Sequence, residues 1–428
     1  MNYKESVRYL ESFWKFGIKL GLSRITHLLH LLGNPQKRFK SIHVAGTNGK
    51  GSVCVMTASV LEEAGYKTGL YTSPHLLEYT ERIKVNGRDI SHAKFSRLIA
   101  KIKKIIDEKY SLKELPTEFE LLTAAAFLFF AEEKADIAVI ETGLGGRLDS
   151  TNVLMPVVCA ITNIDLDHCS ILGKTLSSIA KEKAGIIKRG IPVITACDKP
   201  AALKVIRERC KKQRAKLVAC ARKDADVIVE HLGSNAKGQM VNMFSLGKDI
   251  RGLFIPFLGA HQAVNAAVAA GVLSELQRKK FHISGNAFRR GFSYAKWPAR
   301  SQVVRRRPLT IIDGAHNPSG VRALFKALAG SAKKDIIAVV GILKDKDYPA
   351  MIKEACRHCK LIIAVSADNP RSCPAGIIAS LALKRKVRSI IAGSPAEGLR
   401  LATKMAGDRD RICVFGSLYT CAEVLREA

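Results

Sequence analysis

Seven residues, Gly46-Thr47-Asn48-Gly49-Lys50-Gly51-Ser52, follow the apolar run Ser41–Ala45 and lead into a helical pattern from Ser52 to Ala64. These residue types in this order suit the phosphates of a nucleotide. Glycines let the backbone turn tightly, so that its N–H groups face phosphate oxygens. The start of the following helix adds partial positive charge. Lys50 can neutralise the β- and γ-phosphates, and the Ser52 hydroxyl can sit on Mg²⁺. The spacing is G-x-x-G-K-G-S rather than the commoner G-x-x-x-x-G-K-[ST], with an extra glycine before the serine. The competing reading is an ordinary glycine-rich turn, which the strand–loop–helix context disfavours. Glu141 is the best carboxylate for a metal, because it ends the run Ile137–Glu141 and α/β folds collect ligands at the carboxyl ends of strands.

The elements that must position these groups are short β-branched runs alternating with helical patterns. Strands are expected at Ser41–Ala45, Thr68–Tyr71, Ile137–Glu141, Val157–Thr162 and Pro192–Thr195. Helices are expected at Ser52–Ala64, Lys94–Lys109 and Leu121–Lys134. Such alternation implies right-handed βαβ units and a parallel sheet. Lys216–Phe257 breaks the pattern, with Gly233, Gly238 and Gly247 as punctuation, and reads as a small antiparallel insertion. Helical pattern returns at Ala260–Leu276, and Tyr294–Arg300 reads as a link. A second alternating series follows, with strands at Leu309–Ile312, Ile336–Val340, Leu361–Ala364, Ser389–Ile391 and Ile412–Val414. The fold class is α/β, with domains at 1–296 and 297–428; the chain of 428 residues exceeds the size at which a single core usually stops growing.

Composition narrows the function classes. Apolar residues make up 47% and charged residues 25%, which is ordinary globular usage. The first twenty residues lack a secretory h-region, and Leu121–Ala131 is too short to span a membrane. The 11 cysteines are scattered singly, as suits a reducing cytosol rather than a disulfide framework. Cys356 and Cys359 form a C-x-x-C without a second pair, so buried small hydrophobes are the better reading than zinc. The formal charge of +31 favours anionic partners in general. The basic residues are dispersed and no nucleic-acid module is present, so no specific nucleic-acid partner is expected.

Several segments in order resemble the folylpolyglutamate synthase and dihydrofolate synthase branch of the Mur ligase superfamily. They are His43–Ser52, Tyr71–Leu76 with Glu81–Ile83, Glu141–Asn152, Asn163–His168, Lys181–Lys188, Leu258–Gln262, Trp297–Arg300, Asp313–Pro318, Gly341–Asp347 and Phe415–Tyr419. The resemblance covers nearly the whole chain. It implies a P-loop ATPase domain with a parallel-rich sheet and a small antiparallel insertion, followed by a Rossmann-like domain. It also implies an ATP-dependent ligase, in which a pterin or folate carboxylate takes the γ-phosphoryl group and the amine of L-glutamate then displaces phosphate. Positioning and charge stabilisation, not a protein nucleophile, carry such a reaction.

The resemblance also implies site residues. Gly46 through Ser52 cradle ATP. Ser52, Ser73 and Glu141 hold one magnesium ion, and His168 helps to hold a second. Lys183 is implied to be carbamylated, CO₂ converting its amine into an anionic oxygen donor. From its own surroundings in the sequence, Lys183 reads as a helix-surface residue. Asn265 is implied on the adenine side, Arg300 on the phosphates, and Asp313 and His316 on the nucleotide. Thr117, Phe119, Glu120, Arg147 and Asp149 are expected on the pterin side; for Thr117–Glu120 the rival is a helix cap with an acidic first turn. Arg371, in Asp368-Asn369-Pro370-Arg371, is expected to clamp the incoming glutamate, the rival being an Asx-Pro turn. The expected protein is a cytoplasmic monomer with no membrane partner. Two alternatives are a Mur ligase acting on cell-wall nucleotide peptides and a basic P-loop scaffold for nucleic acid. The 45 residues before Gly46 are too few for the additional uridine-nucleotide domain of the former.

Overall fold

Isoleucine, valine and alanine crowd the strand at residues 40–45, and in the computed structural model every residue of that strand but Lys40 is buried. The structure describes residues 1–111, 115–221, 225–235, 237–245, 248–328 and 335–427. The described chain divides into two compact units. The first comprises Met1–Glu230, Val241–Phe254 and Ala263–Ala295; the second comprises His231–Met240, Ile255–Gln262 and Lys296–Ala428.

The first unit is built on an eight-stranded sheet. Its strands are β1 (Lys40–Ala45), β2 (Thr68–Tyr71), β3 (Ile83–Val85), β4 (Arg88–Asp89), β5 (Ile137–Glu141), β6 (Val158–Ile161), β7 (Val193–Thr195) and β8 (Leu217–Ala219). Their order is β4-β3-β2-β5-β1-β6-β7-β8. β1 lies between β5 and β6, parallel to both, with Val44 opposite Glu141 and Ala45 opposite Ile161. Among the described strands of this sheet, β3 runs against the others, so the pairings β2–β3 and β3–β4 at one edge are antiparallel. Helices cover such sheets on both faces, which is why β1, β5 and β6 read as mainly apolar runs rather than as alternating ones.

Helix boundaries follow their caps. Thr117 and Glu120 form a capping box that starts the helix Glu118–Glu132. Ser91 caps His92–Lys109, and Thr175 caps Leu176–Lys183. Before β1 the chain forms the helices Tyr3–Glu11 and Ser23–Leu31.

The insertion expected at Lys216–Phe257 begins later, because Leu217–Ala219 is β8, paired parallel with β7 in the first sheet. The separate sheet has three strands, β9 (Val227–Asn235), β10 (Gly238–Ser245) and β11 (Lys248–Ile255), in the order β11-β10-β9. Gly247, expected as a turn there, lies outside the described residues. The second unit carries a six-stranded sheet of β12 (Gln302–Arg306), β13 (Leu309–Ile312), β14 (Ile336–Val340), β15 (Cys359–Ala364), β16 (Arg388–Ile391) and β17 (Arg411–Phe415), in the order β12-β13-β17-β14-β15-β16. All its pairings are parallel except β12 with β13. Cys356 and Cys359 are buried and reduced. Among the described residues no three His, Cys, Asp or Glu side chains gather as a metal cluster.

Candidate active site

The phosphate loop is shaped by its neighbours. Gly46 has φ 150° and Gly49 φ 85°. A Cβ on Gly46 would lie 1.8 Å from Thr162 Oγ1, and one on Gly49 would lie 2.2 Å from Asn265 Oδ1. Both positions therefore exclude any side chain. The residues after β6 pin the loop. Thr47 N–H donates to Asn163 O at 2.9 Å and Asn48 N–H to Asn163 Oδ1 at 2.8 Å. Thr162 Oγ1 donates to Asn48 O at 2.6 Å, and Asp165 N–H donates to Thr47 Oγ1 at 3.0 Å. Gly49 caps the helix Lys50–Glu63, so Lys50 and Ser52 stand in its first turn with the free amides.

Three charged side chains converge on this loop. Lys50 Nζ lies 3.9 Å from Glu141 Oε1 and donates to Thr47 O at 3.3 Å. Glu141 is buried at the end of β5, and its Oε2 accepts from Ser73 N–H at 3.1 Å. Lys183 Nζ donates to Gly46 O at 2.8 Å. Lys183 is only 5% exposed, which corrects its reading as a surface residue. It closes the helix Leu176–Lys183, where the chain turns inward through Ala184–Ile186. Burial, and then the Lys50 charge, pull its pKa from 10.5 down to about 7, against the opposing effects of Asp167 and Asp149.

Backbones press together around Lys183. A Cβ on Gly146 would lie 2.9 Å from Lys183 O, and one on Gly185 would lie 2.3 Å from Arg147 Cβ. Arg147 N–H donates to Glu182 O at 2.7 Å, and the Arg147 guanidinium pairs with the Glu182 carboxylate at 2.9 Å. The half-exposed guanidinium thus braces the helix that ends in Lys183.

Asp149 turns inward rather than toward an acceptor. Its Oδ2 accepts from Leu144 N–H at 2.7 Å, and its Oδ1 accepts from Thr151 N–H at 3.0 Å. Glu120 is likewise taken by structure: its Oε2 accepts from Thr117 N–H at 2.7 Å and from Arg24 Nε–H at 3.1 Å. Thr117 is the cap of its helix. Phe119 stacks on Tyr71 with centroids 6.0 Å apart, and its ring edge stands where a Cβ on Gly143 would be, 2.4 Å away. His168 holds a left-handed backbone with φ 50°, and its N–H is bound by Asp167 Oδ1 at 2.9 Å.

In the second unit Asp313 is a clasp. Its Oδ2 accepts from Ser301 N–H at 2.7 Å and its Oδ1 from Ala315 N–H at 2.8 Å. It thereby fixes the turn that follows Arg300. His316 Nδ1 lies 2.8 Å from Gly314 O. Arg371 is exposed, 3.3 Å from Tyr419 OH and 4.0 Å from Asp345 Oδ1. Arg371 N–H donates to Asn369 Oδ1 at 3.0 Å, so the Asx turn is present as well.

A glycine loop opening a helix, with a lysine and a strand-end carboxylate beside it in a mostly parallel sheet, is a phosphate site of the kind that nucleotide-binding enzymes use. The profile of the Mur ligase middle domain matches residues 44–273, and that of the Mur ligase glutamate ligase domain matches residues 299–418. The dihydrofolate synthase/folylpolyglutamate synthase of Bacillus subtilis is 38% identical over 431 residues, spanning 99% of this chain and 98% of its own. The folylpolyglutamate synthase of Mycobacterium tuberculosis complexed with ADP superposes with a TM-score of 0.91 at 30% identity, over 100% of this chain and 99% of its own. E. coli FolC in complex with DHPP and ADP superposes with a TM-score of 0.88 at 30% identity, over 100% of this chain and 97% of its own. This chain belongs to the dihydrofolate synthase/folylpolyglutamate synthase family of Mur ligases.

Proposed function

We propose that the protein couples L-glutamate to dihydropteroate or to a folate through an acyl phosphate. A carboxylate oxygen of the acceptor attacks the γ-phosphorus of ATP, and ADP leaves. The glutamate amine then attacks the acyl carbon, phosphate leaves, and the amine loses a proton. The observation that carries this reading is the convergence of Lys50, Glu141 and Lys183 on the glycine loop.

Lys50 and the amides of residues 46–52 hold the triphosphate and offset its charge. Glu141, Ser52 and Ser73 offer oxygen donors beside the loop, a set that fits a hard cation such as Mg²⁺. Bound there, magnesium would neutralise charge on the transferring phosphoryl group. His168 is assigned to a second ion. Lys183 is assigned as the carbamylated residue: its buried amine is neutral in good part near pH 7, as reaction with CO₂ requires. Phe119 is assigned to the pterin ring and Arg371 to the glutamate carboxylate. Asn265, Arg300, Asp313 and His316 are assigned to the nucleotide, Asp313 acting through the turn it clasps.

The expected setting is a cytoplasmic monomer. Among the described residues no helix is long and apolar enough to cross a membrane. The test is ligation by purified protein with ATP, Mg²⁺ and labelled glutamate, offered dihydropteroate and tetrahydrofolate in parallel. Absence of product and of ADP with both acceptors would overturn the reading.

A further inference from the structure

One buried polar chain is left over by the assignments above. His43 lies in the middle of β1 and is completely buried. Its Nε2 is 2.7 Å from Thr151 Oγ1. Thr151 Oγ1 donates to Asp149 Oδ1 at 2.5 Å, and Asp149 Oδ2 holds Leu144 N–H. The direction of each bond follows from the acceptor at the end. Burial raises the Asp149 pKa, opposed by its bonds from Leu144 and Thr151. While Asp149 is ionised its oxygens only accept, so the Thr151 hydroxyl spends its proton on it. Its lone pair must then accept from His43 Nε2–H. That fixes the neutral Nε2–H tautomer and leaves Nδ1 as a bare acceptor, consistent with its being buried without a protein hydrogen-bond partner. Burial, and then the nearby Lys188 charge, hold the imidazole neutral, with a pKa lowered to about 3.

We infer that His43, Thr151 and Asp149 form a positioning relay that sets the glycine loop 143–147 between Phe119 and Lys183. The relay starts on β1, three residues before Gly46, and ends on the amide of Leu144. On one side of this loop Phe119 touches Gly143; on the other Gly146 and Arg147 meet Glu182 and Lys183. A buried carboxylate that lost its hydroxyl donor would let this loop shift, because desolvated acceptors are left short of partners. The phosphate loop has anchors of its own at Asn163 and Thr162, so nucleotide binding should change much less than use of the acceptor. The inference rests on the glutamate-ligase reading for its assay.

The experiment is steady-state ligation by the full-length protein, with nucleotide affinity measured separately by calorimetry. Thr151→Val removes the hydroxyl at nearly constant shape. It should lower kcat/KM for the acceptor roughly tenfold or more, leaving the ADP Kd within about twofold, since small misplacements of a supporting shell act at this scale. Thr151→Ser should restore most of the loss. His43→Gln, whose amide nitrogen can stand near the Nε2 position, should retain more activity than His43→Asn, whose amide stands near Nδ1. Nitrogen NMR of the imidazole gives a readout independent of turnover and should show Nε2–H. Wild-type ligation with an unaltered Thr151→Val variant, or an Nδ1–H tautomer, would overturn the relay. Failure of the wild type to ligate either acceptor would overturn the functional reading instead.

Discussion

The amine of Lys183 donates to the carbonyl oxygen of Gly46 across 137 positions of sequence, and this bond joins the end of one helix to the first residue of the phosphate loop. Burying a lysine so deeply, with a second lysine nearby, costs the fold stability. Lys183→Ala should abolish most ligation, whereas Lys181→Ala, at an exposed site on the same helix, should stay near wild type. Added bicarbonate should raise the wild-type rate in CO₂-depleted buffer and leave Lys183→Ala unchanged.

The same lysine predicts a stability trade-off. Its ordinary pKa is 10.5 and its folded value about 7, so the folded state favours the neutral amine. Below pH 7 the folded state carries the full penalty; the penalty shrinks as pH rises from 7 and vanishes above 10.5. Lys183→Met should therefore stabilise the ligand-free protein at pH 7, on the order of 1–4 kcal/mol before loss of the Gly46 bond is subtracted. Denaturant melts at pH 7 and pH 10 check this; the gain should be smaller at the higher pH.

Glu141→Gln keeps an acceptor oxygen for Ser73 N–H but removes the charge facing Lys50. Ligation should fall roughly a hundredfold while the fold is retained, because the lost term is charge at the phosphoryl site. A rate measurement with a parallel circular-dichroism melt separates the two effects.

Gly49→Ala should weaken nucleotide binding by at least about tenfold, as a blocked loop and a strained left-handed alanine each cost about 1 kcal/mol or more. The double variant Gly49→Ala/Asn265→Ala removes the clash with Asn265, but it keeps the φ of 85° and gives up the nucleotide contact assigned to Asn265. It should recover only part of the loss in ADP titrations.

Glu62 supplies a pH signature away from the site. Burial, opposed by the backbone of Gly87, pushes its carboxyl from 4.5 up to about 7. The folded state thus favours the protonated acid. Stability from this group is complete below pH 4.5, falls as pH rises through 7, and is constant above. Glu62→Gln should add about 1–2 kcal/mol at pH 8, after allowance for solvent screening, and nothing at pH 4. Thermal melts at the two pH values decide it.

Much of this architecture is legible in the sequence because local pattern and tertiary role agree. β1, β5 and β6 are buried and therefore largely apolar, and the glycine loop carries its chemistry within seven residues. Strands at sheet edges are harder to read. β12 ends in Arg305 and Arg306, whose charges suit an edge but resemble a loop. β3, β4 and β8 are two or three residues long, too short for periodicity. Side-chain direction was the other gap. Nothing local tells that Lys183 turns inward or that Asp149 faces its own loop, because the groups that bury them come from distant segments. His43 carried a weak signal, a lone polar residue in an apolar run, but its partner Thr151 lies 108 positions away.

The strand that feeds the phosphate loop sits between two neighbours made later, and the loop's own clasps are Thr162, Asn163 and Asp165. During synthesis, therefore, the nucleotide cradle has no walls until more than a third of the protein has left the ribosome. A nascent chain halted before Thr162 should be blind to ATP. One halted after the helix Pro200–Gln213 has emerged carries the phosphate loop with its clasps but still lacks Asn265, Arg300, Asp313 and His316, so any grip it has on ATP should be through the phosphates alone and should fasten the half-made enzyme only weakly.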